Sequence, residues 1–224
     1  MPRDERIPEE VERLKDDLIW IWHYFTQFKK LFAQSHLRVE LLNEVAPLFF
    51  YTLQKVLWFE IVIGIGRLTD PYRQGSNRNL SIGILPILAK QYQWDFAKES
   101  QRDSAEELQN LVNEAIEITN PVRTWRKKLV AHRDLPTALS NAKQLEPIDT
   151  KQIEQSLIAL GNVINKVYSK LTGTEWKWHL CTPQDADSLI HFLKMAIIYQ
   201  DKIQHARDWQ QEQNDWDNFR YKNA

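Results

Sequence analysis

Between Leu48 and Leu68 the chain reads LFFYTLQKVLWFEIVIGIGRL, and the reading of this stretch decides the fold. It is apolar almost all round, so either a bilayer or a protein core must receive it. It also carries Gln54, Lys55, Glu60 and Arg67. Each mid-membrane charge costs roughly 2.5–3.5 kcal/mol, which favours a central helix in a soluble bundle. Pro47 should start or kink that helix, because it lacks an N–H and collides with the preceding turn. Phe49, Leu53, Val56, Glu60, Ile63 and Arg67 fall on one helical line, and Phe49, Leu53, Val56 and Ile63 are expected to be buried. Two charges on that line are unusual. Pairing of Glu60 with Arg67, or with a base further on, would spare a buried carboxylate its desolvation. Arg67 and Asp70, three apart, are expected to form an ion pair.

Outward from this helix the three-and-four spacing of apolar residues recurs. One stripe is Val11, Leu14, Leu18, Ile21, Phe25, Phe28 and Phe32, following Pro8. A second is Leu108, Leu111, Ala115, Ile118, Val122, Trp125 and Leu129. A third, Ile153 to Leu171, is preceded by Asp149 and Gln152 in capping-box spacing. A last helix should open at Thr182-Pro183 and carry Leu189, Leu193, Ile197 and Ile203. Tyr72 to Arg78 reads as a loop, with Asn79 capping a short helix from Leu80 and Pro86 in or near its first turn. With 6 glycines in 224 residues, hairpin-rich sheets and glycine-loop phosphate sites are disfavoured. The expectation is an all-α, single-domain bundle of five or six helices over residues 1–224, with a core of about 8–205 and a polar extension at 206–224. That extension carries Trp216, Phe219 and Tyr221.

The net charge of −1 excludes binding of nucleic acid by bulk charge, so any such site must be local. A single cysteine, Cys181, excludes an internal disulfide and a cysteine-built zinc site. His23, His36, His179, His191 and His205 lack metal-ligand spacing, so neither metal nor cofactor is expected. The charged N-terminus opens on no apolar run, which predicts a cytoplasmic protein without membrane attachment. One segment is electrically polarised. Six acids against Arg102 occupy 99–117, while Arg123, Arg126, Lys127, Lys128 and Arg133 stand against Asp134 alone in 121–134. Acids first and bases last suit the helix dipole. The dipole does not account for His132, which continues the stripe Val122, Trp125, Leu129. At 100° per residue, Arg126 lies about 120° round from it.

Arg126-Lys127-Lys128-Leu129-Val130-Ala131-His132 resembles the Arg, four-to-six residues, His motif of HEPN (higher eukaryotes and prokaryotes nucleotide-binding) ribonucleases. Gly66-Arg67-Leu68-Thr69-Asp70-Pro71, then Asn79-Leu80-Ser81-Ile82, then Leu129-Val130-Ala131-His132-Arg133-Asp134 are similar, in order, to the abortive-infection type U (AbiU-like) branch. The resemblance implies a metal-independent endoribonuclease of a phage-defence or toxin–antitoxin system. It also implies a homodimer and an antitoxin or regulatory partner. Arg126 and His132 match the catalytic pair. Lys127 stands where a neutral polar residue is common. Asp134 stands where adenylylated HEPN toxins carry tyrosine, which speaks against that control here.

The chemistry suits these residue types. RNA supplies its own nucleophile, the 2′-hydroxyl, so proton transfer and charge stabilisation suffice. His132 would move protons, and Arg126 would grip the scissile phosphate. Arg123, Lys127, Lys128 and Arg133 would contact flanking phosphates, with Glu60, Arg67, Asp70 and Asp134 in support. The competing reading is a catalytically silent helical module that dimerises or binds a nucleotide or protein. His132-Arg133-Asp134-Leu135 imitates a kinase catalytic loop, but Leu139 stands where that loop needs asparagine, and no Asp-Phe-Gly follows. Trp176 and Trp178 could stack bases; pinning a loop to the bundle is the better reading.

Overall fold

A computed structural model describes residues 7–94, 104–131, 147–178 and 184–204. They form an all-α structure in which α1 (Glu9–Phe28), α2 (His36–Val45), α3 (Pro47–Leu68) and α4 (Leu85–Gln91) lead. Then come α5 (Ser104–Ile118), α6 (Asn120–Trp125), α7 (Thr150–Thr172) and α8 (Asp185–Gln204). Eight described helices exceed the expected five or six because α2, α4 and α6 are short pieces between the long stripes. Residues expected in helices or loops at 95–103, 132–146, 179–183 and 205–224, the aromatic tail included, lie outside the described residues.

Periodicity located the long helices well. Val11, Leu14, Leu18, Ile21, Phe25 and Phe28 of α1 are all buried. So are Ile153, Leu157, Leu160, Ile164 and Val167 of α7. The capping box forms: the Gln152 N–H donates to Asp149 Oδ1 at 2.7 Å, and the Asp149 N–H donates to Gln152 Oε1 at 3.0 Å. Gly173, at φ +73°, ends α7 in the left-handed region that glycine enters without steric cost. Helix α1 lies against both α3 and α7, and α5 packs between α4 and α7. Gly64 permits the α1–α3 approach, since a Cβ there would lie 2.6 Å from Ile21 Cγ1.

Helix α3 corrects one expectation. Pro47 does open it, but its buried residues are Phe50, Ile61, Val62, Ile65 and Leu68. Phe49 is 63 % and Val56 50 % exposed, while Leu53 and Ile63 are half-buried. The line that carries Glu60 and Arg67 therefore faces outward, where two charges remain hydrated. The helix is long and apolar enough to cross a membrane by length and composition. Its second half is instead closed into the core by α1, α6 and α7.

A smaller apolar cluster joins Leu31, Leu41, Leu42 and Phe50 to Ala186 and Ile190 of α8. Asp187 ties it down, accepting from Lys30 Nζ at 2.7 Å and from Arg38 Nη1 at 2.8 Å. These two cationic donors, Lys30 first, hold the Asp187 carboxyl below the usual aspartate range. Trp178 is buried against Gly161, and Trp176 stacks beside it. Lys15 Nζ lies 5.1 Å from the Trp176 ring centre, and the Trp176 N–H donates to Asn165 Oδ1 at 2.9 Å. Both tryptophans pin their segment to α7, as the sequence suggested.

Candidate nucleic-acid interface

The C-terminal turn of α3 builds the floor of the site. Thr69 is buried, and its hydroxyl donates to Ile65 O at 2.8 Å, which closes the last carbonyls of the helix. The chain then turns at Asp70-Pro71 into a two-strand hairpin, Arg73–Gln74 against Asn77–Arg78, where the sequence suggested only a loop. Gly75 sits in its turn at φ +63°, which favours glycine. Asn79 does not cap a helix. Its Nδ2–H donates to Pro71 O and its backbone N–H to Tyr72 O, each at 2.8 Å, fastening the base of the hairpin. Ser81 takes the N-cap position of a short 3-10 turn, Ile82–Ile84, that leads into α4.

Above this floor α6 ends and the backbone widens into a π turn, Arg126–Ala131. Hydrogen bonds there run i→i+5, and such turns recur at functional sites. The 100° per residue of an α-helix therefore does not describe Arg126–Ala131, and His132 lies outside the described residues. Arg126 lies over Gly66: a Cβ on that glycine would come 2.1 Å from Arg126 Cδ. Its Nη1–H donates to Asp70 Oδ1 at 2.5 Å. The two sequence blocks around Gly66–Pro71 and Asn79 thus serve one end: Gly66 leaves room for Arg126, Asp70 anchors it, and Asn79 fixes the loop that holds Asp70.

Arg126 opens into a groove of about 540 Å³ lined also by Asp70, Gln74, Asn120, Arg123, Thr124 and Lys127. It holds three cations against one carboxylate, Asp70, which is already paired with Arg126. A second groove of about 530 Å³, between α5 and α7, carries Glu107, Glu114 and Glu175 and does not suit a polyanion.

Of the residues singled out by sequence, the fold brings together Arg123, Arg126, Lys127 and Asp70. Lys128 is not among the groove's lining residues. Asp70 pairs with Arg126 and not with Arg67, because Arg67 points outward, 3.8 Å from Glu60. The expected Glu60–Arg67 pair forms, on the surface and away from the groove lining. Arg67 also acts electrostatically on Asp17 of α1, whose carboxyl burial pushes up and Arg67 draws back. His132, Arg133 and Asp134 lie outside the described residues.

Sequence reasoning missed Gln74, Asn120 and Thr124. The spacing of Asn120, Arg123, Thr124 and Lys127 on one helical face could have found two of them. Arg73 and Arg78 stand directly opposite each other across the hairpin and do not line the groove. Like charges in that position repel unless an anion lies between or beside them. Among the described residues no group of three or more His, Cys, Asp and Glu side chains could hold a metal.

Comparison with known proteins adds one finding: the family model for AbiU2, of the HEPN class, matches residues 4–192. No curated protein and no solved structure matches.

Proposed function

The chain belongs to the AbiU2 family of HEPN proteins, and from that premise we propose that it is a metal-independent endoribonuclease acting in defence against phage. The observation that carries the reading is the seating of Arg126. It is bedded on Gly66, tethered by Asp70, and set in a groove with Arg123 and Lys127. A guanidinium has five N–H donors. Among the described residues the tether uses Nη1, leaving the remaining edge to grip a phosphate. Three cations in one groove suit a backbone that carries a charge at every nucleotide.

In this reading the 2′-oxygen attacks the adjacent phosphorus and the bond from phosphorus to the 5′-oxygen breaks. A base takes the 2′-hydroxyl proton, and an acid gives one to the leaving oxygen. His132 fills these roles, its ordinary pKa of about 6.5 suiting both. Arg126 stabilises the charge that builds on the phosphoryl oxygens. Arg123, Lys127 and the hairpin arginines Arg73 and Arg78 hold flanking phosphates. Each chain contains one such Arg and one such His, so two copies around a shared cleft supply a separate acid and base.

The test uses purified protein, unmodified RNA and chelator. Cleavage persists, leaves a 2′,3′-cyclic phosphate and a 5′-hydroxyl, and spares RNA carrying 2′-methoxy at the cut. His132→Ala loses about 10²–10⁴ in rate. Arg126→Lys, charged but without the planar fork, is also impaired. Lys127→Ala mainly weakens binding and flattens its salt dependence. RNA binding without cleavage overturns the enzyme in favour of the silent module.

A further inference from the structure

We propose that two copies of the chain associate through the outer face of α3, with the two helices parallel and in register. Phe49, Thr52, Val56, Phe59, Ile63 and Gly66 follow one another at spacings of three and four, the 3.5-residue period of a coiled-coil seam. The buried side chains lie elsewhere, on Phe50, Ile61, Val62, Ile65 and Leu68; Gly66, the last seam position, is itself buried beneath Arg126, so the open seam runs from Phe49 to Ile63. The seam is open: Phe49, Val56 and Phe59 are 63 %, 50 % and 41 % exposed. The Thr52 hydroxyl already donates to Leu48 O at 2.8 Å, so covering it strands no donor. Core residues on the opposite face favour a protein occupant, since crossing a bilayer would require α3 to leave the bundle.

Charge selects the occupant and its direction. With Phe49, Val56 and Ile63 at the a positions, Lys55 falls at g and Glu60 at the following e. In a parallel, in-register pair each g residue meets the partner's e residue five positions on, so Lys55 meets Glu60 of the other copy, twice. An antiparallel pair sets g against g and loses both attractions. The seam also ends at Gly66, the bed of Arg126. Parallel pairing brings both Arg126 groups to one end of the interface; antiparallel pairing sends them to opposite ends. This last step rests on the nuclease reading, in which the site is incomplete with one copy. The spacing, the exposure and the charges do not depend on it.

Light scattering of the full chain at tens of micromolar, without RNA, should give twice the 26.6 kDa of one copy. Phe59→Asp and Val56→Asp, at half-open positions, should give single-copy mass with helical circular dichroism unchanged. Lys55→Glu should weaken the dimer by about tenfold or more, as should Glu60→Lys, and the double exchange should restore it. In a Cys181→Ser background, Thr52→Cys and Ile63→Cys should each cross-link to their own kind under mild oxidation, which only a parallel register allows. Single-copy mass for the unaltered chain, a Phe59→Asp dimer, no rescue by the double exchange, or no self-cross-linking would overturn the proposal. So would a chain that stays single and floats with anionic vesicles. A seam dimer that cuts no RNA leaves the interface standing and removes the nuclease; an RNA-cutting single copy does the reverse.

Discussion

At Gly66 one missing methyl decides where Arg126 can lie. Glycine inside a helix ordinarily costs about 0.8–1.0 kcal/mol relative to alanine. Gly66→Ala gains that much in helix propensity but pushes Arg126 off its bed and strains its pair with Asp70, so the melting temperature should change little or fall. That displacement of Arg126, whose Cδ lies 2.1 Å from the new Cβ, should lower cleavage by about tenfold or more. Gly64→Ala is the informative contrast. Its Cβ strikes Ile21 within the core, so it should cost about 1–3 kcal/mol in urea unfolding. Asp70→Asn keeps the shape but removes the charge that anchors Arg126. It should lower kcat while leaving the salt dependence of RNA binding close to that of the unaltered protein. Gly66, Asp70 and Asn79 stood out in the sequence only through the family blocks that contain them; read alone, Asp70 was given Arg67 as partner and Asn79 a helix cap, whereas Asp70 holds Arg126 and Asn79 fastens the hairpin. Gln74, Asn120 and Thr124 are ordinary polar residues, and only the folded hairpin and α6 bring them to the groove.

Helix α3 shows where periodicity stops informing. Elsewhere a polar face fixes orientation, and the stripes of α1 and α7 were read correctly. An almost wholly apolar helix has no such face, so the line of Phe49, Leu53 and Val56 was assigned to the core. The signal against it was present in Glu60 and Arg67, two charges that water holds more cheaply than a core does. The corrected orientation is measurable in urea unfolding at protein concentrations low enough to keep copies apart. Ile61→Ala should cost about 2–5 kcal/mol, whereas Val56→Ala should stay within about 0.5 kcal/mol. The π turn after Trp125 was not legible at all. A shift from i→i+4 to i→i+5 bonding leaves no mark in an apolar pattern, yet it departs from the 100° spacing on which the pattern is read.

Across the whole molecule, one carboxylate fastens α8 to α2 and to the turn that follows α1. Asp187 is held below its ordinary range by Lys30 and then Arg38. Its folded value is lower than its unfolded value of about 3.9, so its stabilisation is complete above that pH. It is lost as pH falls through the lower folded value. The melting difference between the unaltered protein and Asp187→Asn should therefore hold constant above about pH 5 and close towards zero in stronger acid. Near-neutral solutions never sample that transition. The bedding of Arg126 has a different reach. Because its support is a helix that also forms the core, the side chain surrenders its freedom once, when the chain folds. A substrate meets a hand already held open, and little ordering remains to be charged against binding. If the nuclease reading holds, restraint would therefore come from an occupant that fills the groove or from keeping the copies too dilute to meet.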